Sequence, residues 1–154
     1  MSGTGHTVKS YEEEMQSLND NLVMMGSLTE SQMADAMAAV IKVDKDSVDK
    51  IVKNDGKINE LRSVIDNQIT TVLVKRAPMA VDLRITISTM KISHDLERIG
   101  DLAKSVAKKV KPLPVDLPDE LIGSLRRLGD LVQKQLKDAL DAYLNKSKDK
   151  AIEI

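Results

Sequence analysis

Hydrophobic residues recur every three or four positions along almost the whole chain of 154 residues. This spacing places them on one side of an α-helix and therefore predicts amphipathic helices. Strand-like alternation of apolar and polar residues appears nowhere in the sequence. The most regular apolar stripe predicts a third helix that begins at Pro78, a favourable residue for the first turn. Its members are Ile85, Thr89, Ile92, Leu96, Ile99, Ala103, Val106 and Val110. A stripe of this length is typical of long antiparallel bundle helices.

Three prolines interrupt the pattern after the third predicted helix. Pro112, Pro114 and Pro118 mark a linker over residues 112–118, because proline clusters favour turns and loops. Residues 1–111 thus predict one three-helix unit. Residues 119–154 begin with a fourth amphipathic helix, whose stripe is Leu121, Leu125, Leu128, Val132, Leu136, Ala139 and Tyr143.

The chain also contains an internal repeat. A shift of 103 residues lays segment 25–48 over segment 128–151, and 8 of the 24 positions are identical. The identical pairs are Gly26/Gly129, Leu28/Leu131, Gln32/Gln135, Asp35/Asp138, Ala36/Ala139, Ala39/Ala142, Lys45/Lys148 and Asp46/Asp149. A shared helix-interior glycine is informative because it costs about 1 kcal/mol relative to alanine. We therefore predict an all-α fold, with one up-down, spectrin-like three-helix repeat and the first helix of an incomplete second repeat. We expect the sequence to be a fragment, and the apolar side of the fourth helix to need a covering partner.

Composition narrows the possible functions. The chain has no cysteine and only two histidines, which argues against disulfides, cysteine-ligated zinc, thiol catalysis and multi-histidine metal sites. Aromatic residues make up 1% of the chain and the net charge is −1, so neither base stacking nor binding to nucleic-acid phosphates is expected. No nucleotide-binding loop or nucleophile–base motif is present. We expect a cytoplasmic protein that is not an enzyme.

The third helix carries the residues of greatest chemical interest. Glu97 and Asp101 are four positions apart, so their carboxylates lie one turn apart on the same helix face. Such like charges repel unless a cation lies between them, and an oxygen-liganded ion such as Mg²⁺, Mn²⁺ or iron would serve. His94 lies on the same face and could add a nitrogen ligand. The alternative is that these acids are solvated or paired with basic residues.

Further polar residues give less specific indications of function. Asp55 interrupts the apolar stripe of the second helix and is either a metal ligand or, as we favour from the sequence, the partner of an Arg or Lys. Asp82 lies in the first turn of the third helix, where the helix dipole favours an acid. Arg84 is a candidate for a salt bridge or a partner surface. The basic residues that end the third helix complement its dipole.

Several segments resemble the PhoU family of phosphate-uptake regulators. The resemblance covers nearly the whole chain, and its most specific parts are PMAVDLR at 78–84 and DLERIGDLA at 95–103. The opening His6-Thr7-x-x-x-Tyr11 and the later Met25-Gly26-x-Leu28 are similar to the family's first helix. The resemblance implies tandem three-helix bundles and an adaptor that connects the phosphate ABC importer with a sensor histidine kinase. Asp82, Arg84 and Arg98 are then candidates for the partner surface. We expect a homodimer that is peripheral to the membrane through its partners.

The resemblance also implies metal clusters, each bound by a pair of Glu/Asp-x-x-x-Asp motifs. Glu97 and Asp101 match one motif, and the other falls on Asp55, where Asn59 replaces the second carboxylate. Arg62 stands where the family commonly has an acid, whereas Asp66 retains one further along the helix. A divalent ion (Fe, Mn, Mg or Zn) would therefore bind weakly or not at all. The alternatives are a helical metal-binding or storage module and a structural oligomerising bundle without a signalling role.

Overall fold

The computed structural model describes residues 3–154, with side chains from residue 9 onward. His6 and Thr7 of the opening motif therefore lie outside the described side chains. Within the described part the chain is 86% helical and contains no strand, which confirms the all-α prediction. Its helices are α1 (Gly3–Lys42), α2 (Ser47–Arg76), α3 (Ala80–Lys108), α4 (Asp119–Leu144) and the short α5 (Lys148–Glu153).

Helices α1, α2 and α3 form a bundle in which each helix packs against the other two. Two groups of buried side chains fill it along its length. One group lies near the end where α1 meets α2 and includes Val40, Val48 and Val110. The other includes Leu22, Ile65 and Leu96. The apolar stripes of the three helices thus face a common interior, as amphipathic helices of a bundle require.

The ends of α2 are set by local chemistry. Asp44 accepts hydrogen bonds from the backbone N–H groups of Asp46 and Ser47, which satisfies donors at the start of the helix. At the other end Ala77 adopts a left-handed conformation and its N–H donates to the Leu73 carbonyl. Pro78 consequently lies in the connection, and α3 begins at Ala80 rather than at Pro78 as the sequence pattern suggested.

The buried stripe of α3 differs from the predicted one in its first half. Ile85 is exposed and Ile92 only partly buried, whereas Thr86 and Ser93, which the predicted stripe omits, are buried together with the predicted Thr89. Each hydroxyl donates to a backbone carbonyl three or four residues earlier, so it is satisfied within its own helix. Small polar residues can thus face the interior where the bundle helices approach closely.

Helix α4 packs against α1. Only Gly129 and Ala142 of α4 are buried, and Leu136, Leu140 and Tyr143 lie against the neighbouring core. Much of the predicted apolar stripe is exposed, including Leu121, Leu128 and Val132. The boundary at residues 112–118 and the division into repeats remain predictions. Among the described residues, no helix is both long and apolar enough to cross a membrane.

Candidate functional site

A row of charged and polar side chains follows the surface where α2 and α3 meet, and we call it the α2–α3 polar row. Spacings of three and four residues place each set on one face of its helix. The members from α2 are Asp55, Asn59, Arg62 and Asp66, and those from α3 are His94, Glu97, Asp101 and Lys104. The two helices run in opposite directions, so Asp55 meets Lys104 and Asp66 meets His94.

Asp55 is the buried end of this row and is only 3% exposed. Its Oδ1 accepts a hydrogen bond from Gln32 Nε2 at 2.9 Å, and the same nitrogen donates to the Gly100 carbonyl at 3.1 Å. Its Oδ2 accepts from Lys104 Nζ at 2.5 Å and from Asn59 Nδ2 at 3.4 Å. These donors compensate the desolvation of the carboxylate, as a buried acid requires. The expectation that Asp55 pairs with a basic residue is confirmed.

Lys104 connects the two acids that the sequence placed on separate helices. Its Nζ also lies 2.5 Å from Asp101 Oδ1, so one ammonium group serves Asp55 and Asp101 together. The hydrogen bonds to Asp101 and Asp55 raise the pKa of Lys104, because both favour the charged form. The lysine therefore stays protonated throughout the physiological range.

The other end of the row has a second internal cation. Arg62 Nε lies 3.3 Å from Asp66 Oδ2 and 3.5 Å from Glu97 Oε2. His94 Nε2 lies 3.2 Å from Asp66 Oδ1 and 3.3 Å from the Arg62 guanidinium. All five predicted ligand candidates therefore share one surface, but Asp55 and Asp101 are bound by Lys104, and Asp66 and Glu97 by Arg62.

Close contact between α2 and α3 allows the side chains of the α2–α3 polar row to contact one another across the two helices. A Cβ atom added at Gly100 would lie 3.0 Å from Ile58 Cδ1 and 3.5 Å from Asp55 Oδ1. The missing side chain thus lets the helices approach at the level of Asp55. Gly100 therefore has a packing role between α2 and α3.

The donor set that results does not fit the metal cluster that the resemblance implies. No group of three or more His, Asp or Glu side chains in the described part of the chain is arranged to hold a metal ion. Asn59 donates its amide to Asp55 instead of offering a second carboxylate. A divalent ion would have to displace Lys104 or Arg62 from the carboxylates they already bind. As folded, the row is a set of ion pairs.

A different surface surrounds the start of α3, and we call it the α3 entry surface. Asp82 and Arg84 are exposed there and line a groove whose other walls come from α1 and from the end of α4, including Tyr11 and Tyr143. Burial and the charge of Asp82 raise the pKa of Tyr11. Arg98 is exposed too, but it lies 14 residues further along α3, at about 20 Å from Arg84 by the helix rise. The three candidates therefore do not form one patch.

Sequence reasoning missed two polar contacts that organise the bundle. Gln32 is buried and reaches Asp55 from α1, although its only sequence signal was identity with Gln135 in the repeat. Arg76 forms a bidentate ion pair with Glu14 and so connects the end of α2 to α1. Its Nη2 donates to Glu14 Oε1 at 2.8 Å and its Nε to Oε2 at 3.0 Å. No spacing rule connects residues 62 positions apart in the sequence.

The fold and the two surfaces define an all-α, helical-bundle protein with an ion-paired polar row and an exposed mixed surface at one end. The family model described as the PhoU domain matches residues 22–110. The chain belongs to the PhoU family.

Relatives and a solved structure agree with this assignment. The chain is 41% identical over 150 residues to the phosphate-specific transport system accessory protein PhoU homolog of Caulobacter vibrioides, covering 97% of this chain and 65% of that protein. The homolog of Clostridium acetobutylicum is 35% identical, with 96% and 68% covered. The crystal structure of PhoU from Pseudomonas aeruginosa matches with a TM-score of 0.84 at 34% identity, covering 93% of this chain and 69% of that chain. The chain thus spans about two thirds of the length of these proteins.

Proposed function

We propose that this protein regulates phosphate uptake and phosphate-starvation signalling as an adaptor. Its partners in this proposal are the ATPase subunit of the phosphate ABC importer and a sensor histidine kinase, and it acts in the cytoplasm as a homodimer. Membership of the PhoU family supports a role accessory to phosphate transport. The observation that supports the adaptor role is the α3 entry surface. Its residues Asp82 and Arg84 lie in the segment 78–84, one of the most specific parts of the family resemblance.

The α3 entry surface has the composition of a docking site. Met79 is 81% exposed and Val81 is 66% exposed, and Leu83 and Ile85 are exposed beside them. Exposed apolar side chains favour protein contacts, since burying them on binding is favourable. Asp82 and Arg84 are exposed on the same turn and carry opposite charges, so a partner with complementary charges would be fixed in orientation.

Co-purification from cells tests this proposal. The tagged protein is expressed in phosphate-replete cells of its own host, and the importer ATPase subunit and histidine kinase are quantified in the eluate. Asp82→Arg reverses a charge within the surface, whereas Asp130→Arg makes the same change at an exposed position on α4. We expect both partners with the wild type and with Asp130→Arg, and their loss with Asp82→Arg. Absence of both partners from the wild-type eluate would contradict the adaptor role.

The α2–α3 polar row has a structural role in this proposal. The ion pairs made by Lys104 and Arg62 hold α2 against α3, which is the role expected of the acids in a structural bundle. In this proposal the regulatory function depends on the α3 entry surface. In this proposal the adaptor keeps the phosphate-starvation response off when phosphate is plentiful. A reporter of that response should therefore be switched on in replete medium by Asp82→Arg and not by Asp130→Arg.

A further inference from the structure

The ammonium group of Lys104 occupies the place at which a metal ion would be expected. It contacts one oxygen of Asp55 on α2 and one of Asp101 on α3, each at 2.5 Å. Each of these acids belongs to one of the two motifs that the family resemblance implies. One small cation therefore already bridges the helices, and it is part of the chain itself.

We propose that Lys104 is a built-in cation that replaces the divalent metal in this chain, so that the α2–α3 polar row is complete without metal. The replacement involves residues on both helices. Asn59, which stands where a carboxylate is expected, directs its amide to Asp55. Arg62, which stands where an acid is common, binds Glu97 and Asp66. Two fixed positive charges and one lost carboxylate reduce the negative field that would attract a divalent ion.

Burial explains why the lysine is a strong competitor. The Asp55 side chain is 4% exposed and that of Lys104 is 23% exposed, so both groups are largely withdrawn from water. A carboxylate in that position needs a cation and hydrogen-bond donors at all times. Lys104 is tethered one turn beyond Asp101, so it meets this need at an effective concentration that a free ion at cellular levels does not reach.

Removal of the lysine head group should therefore convert the row into a divalent site. The Lys104→Met variant keeps most of the aliphatic stem but frees Asp55 Oδ2 and Asp101 Oδ1. Asn59 Oδ1 is buried without a hydrogen-bond partner, and rotation of the amide that now faces Asp55 with its nitrogen would supply a further oxygen there. Carboxylate and carbonyl oxygens are the ligands that Mn²⁺ and Mg²⁺ prefer.

Isothermal titration with MnCl₂ and thermal unfolding in EDTA or MnCl₂ test the proposal on the whole chain. The wild type and the Lys108→Met control, which changes an exposed lysine on the next turn, should unfold at the same temperature in both solutions. Lys104→Met should unfold earlier in EDTA, recover with Mn²⁺ and bind it at least about tenfold more tightly than the wild type. Adding Asp101→Asn to Lys104→Met should abolish this gain.

Lys104→Ala provides a second variant in case methionine disturbs the fold. Tight binding of Mn²⁺ by the wild type, equal to that of the lysine variants, would overturn the proposal because Lys104 would then not exclude metal. Failure of both Lys104→Met and Lys104→Ala to respond to Mn²⁺ would overturn it as well. The proposal does not depend on the adaptor role, since no partner protein enters the experiment.

Discussion

Gly26 of α1 lies directly against Leu140 of α4. A Cβ atom on Gly26 would be 3.1 Å from Leu140 Cδ1, and a Cβ atom on Gly129 would be 2.7 Å from Met37 Cε. The 103-residue shift lays Gly26 over Gly129 and Met37 over Leu140, so the two contacts are equivalent. The helices therefore pack antiparallel about an approximate two-fold axis, with a glycine of each receiving the long side chain of the other.

This reciprocal contact predicts how α4 responds to overpacking. Gly129→Leu should lower the free energy of unfolding by about 1–3 kcal/mol, because Met37 cannot vacate all of the required space. Met37→Ala in the same chain should recover most of the loss by opening that space. Urea unfolding of the single and double variants measures the coupling. Additive effects of the two substitutions would show that the residues do not share the contact.

The contact between Gly100 and Ile58 predicts a second coupled pair. Gly100→Ala gains about 1 kcal/mol of helix propensity but places its methyl group 3.0 Å from Ile58 Cδ1. Ile58→Val removes that carbon, so Gly100→Ala should be more favourable by about 1 kcal/mol in the chain that carries Ile58→Val than in the wild type. Chemical denaturation of the four proteins provides the value. An equal effect of Gly100→Ala in both backgrounds would argue against close helix contact here.

Lys104 bridges two acids that should differ greatly in their contribution to stability. The Asp55 side chain is 4% exposed, and Asp55→Ala removes a buried partner of both Lys104 and Gln32. This substitution should lower the free energy of unfolding by about 3–5 kcal/mol. Asp101 is 51% exposed, and Asp101→Ala should cost less than about 1 kcal/mol. Thermal and urea unfolding would distinguish them, and equal losses would contradict the assigned burial.

The pair between Glu14 and Arg76 predicts a dependence of stability on pH. The hydrogen bond from Arg76 lowers the pKa of Glu14 in the folded chain, so the stabilisation is fully present above the pKa of the unfolded chain. It is lost as the pH falls through the lower, folded pKa. The melting temperature of the wild type should therefore exceed that of Glu14→Gln at neutral pH, and the difference should disappear in acid. A difference that persists in strong acid would contradict the assignment.

The helices were predictable because apolar spacing depends on helix geometry alone. The periodicity located α2, most of α3 and the start of α4, and the acid pair Glu97 and Asp101 was correctly placed on one face. The start of α3 was predicted too early, at Pro78. The left-handed Ala77 ends α2, and Pro78 lies in the connection before α3. Thr86 and Ser93 were not predicted to be buried, because hydropathy does not show that their hydroxyls donate hydrogen bonds within the helix.

The partners within the polar row could not be predicted to the same extent. Lys104 lies three residues from Asp101, a spacing at which helical side chains meet, but its contact with Asp55 crosses 49 positions. Arg62 and Glu97 likewise meet only because α2 and α3 are antiparallel and in a particular register. Register depends on tertiary contacts such as Gly100 against Ile58, and single-sequence periodicity contains no information on them.

Direct binding of the purified importer ATPase subunit tests the central claim, that the α3 entry surface docks a partner. Biolayer interferometry compares the wild type with Arg84→Glu and with Arg126→Glu, an exposed arginine on α4 that serves as the matched control. We predict that Arg84→Glu weakens binding at least about tenfold and that Arg126→Glu leaves it unchanged. Equal affinity of all three proteins, or no binding by the wild type, would contradict it.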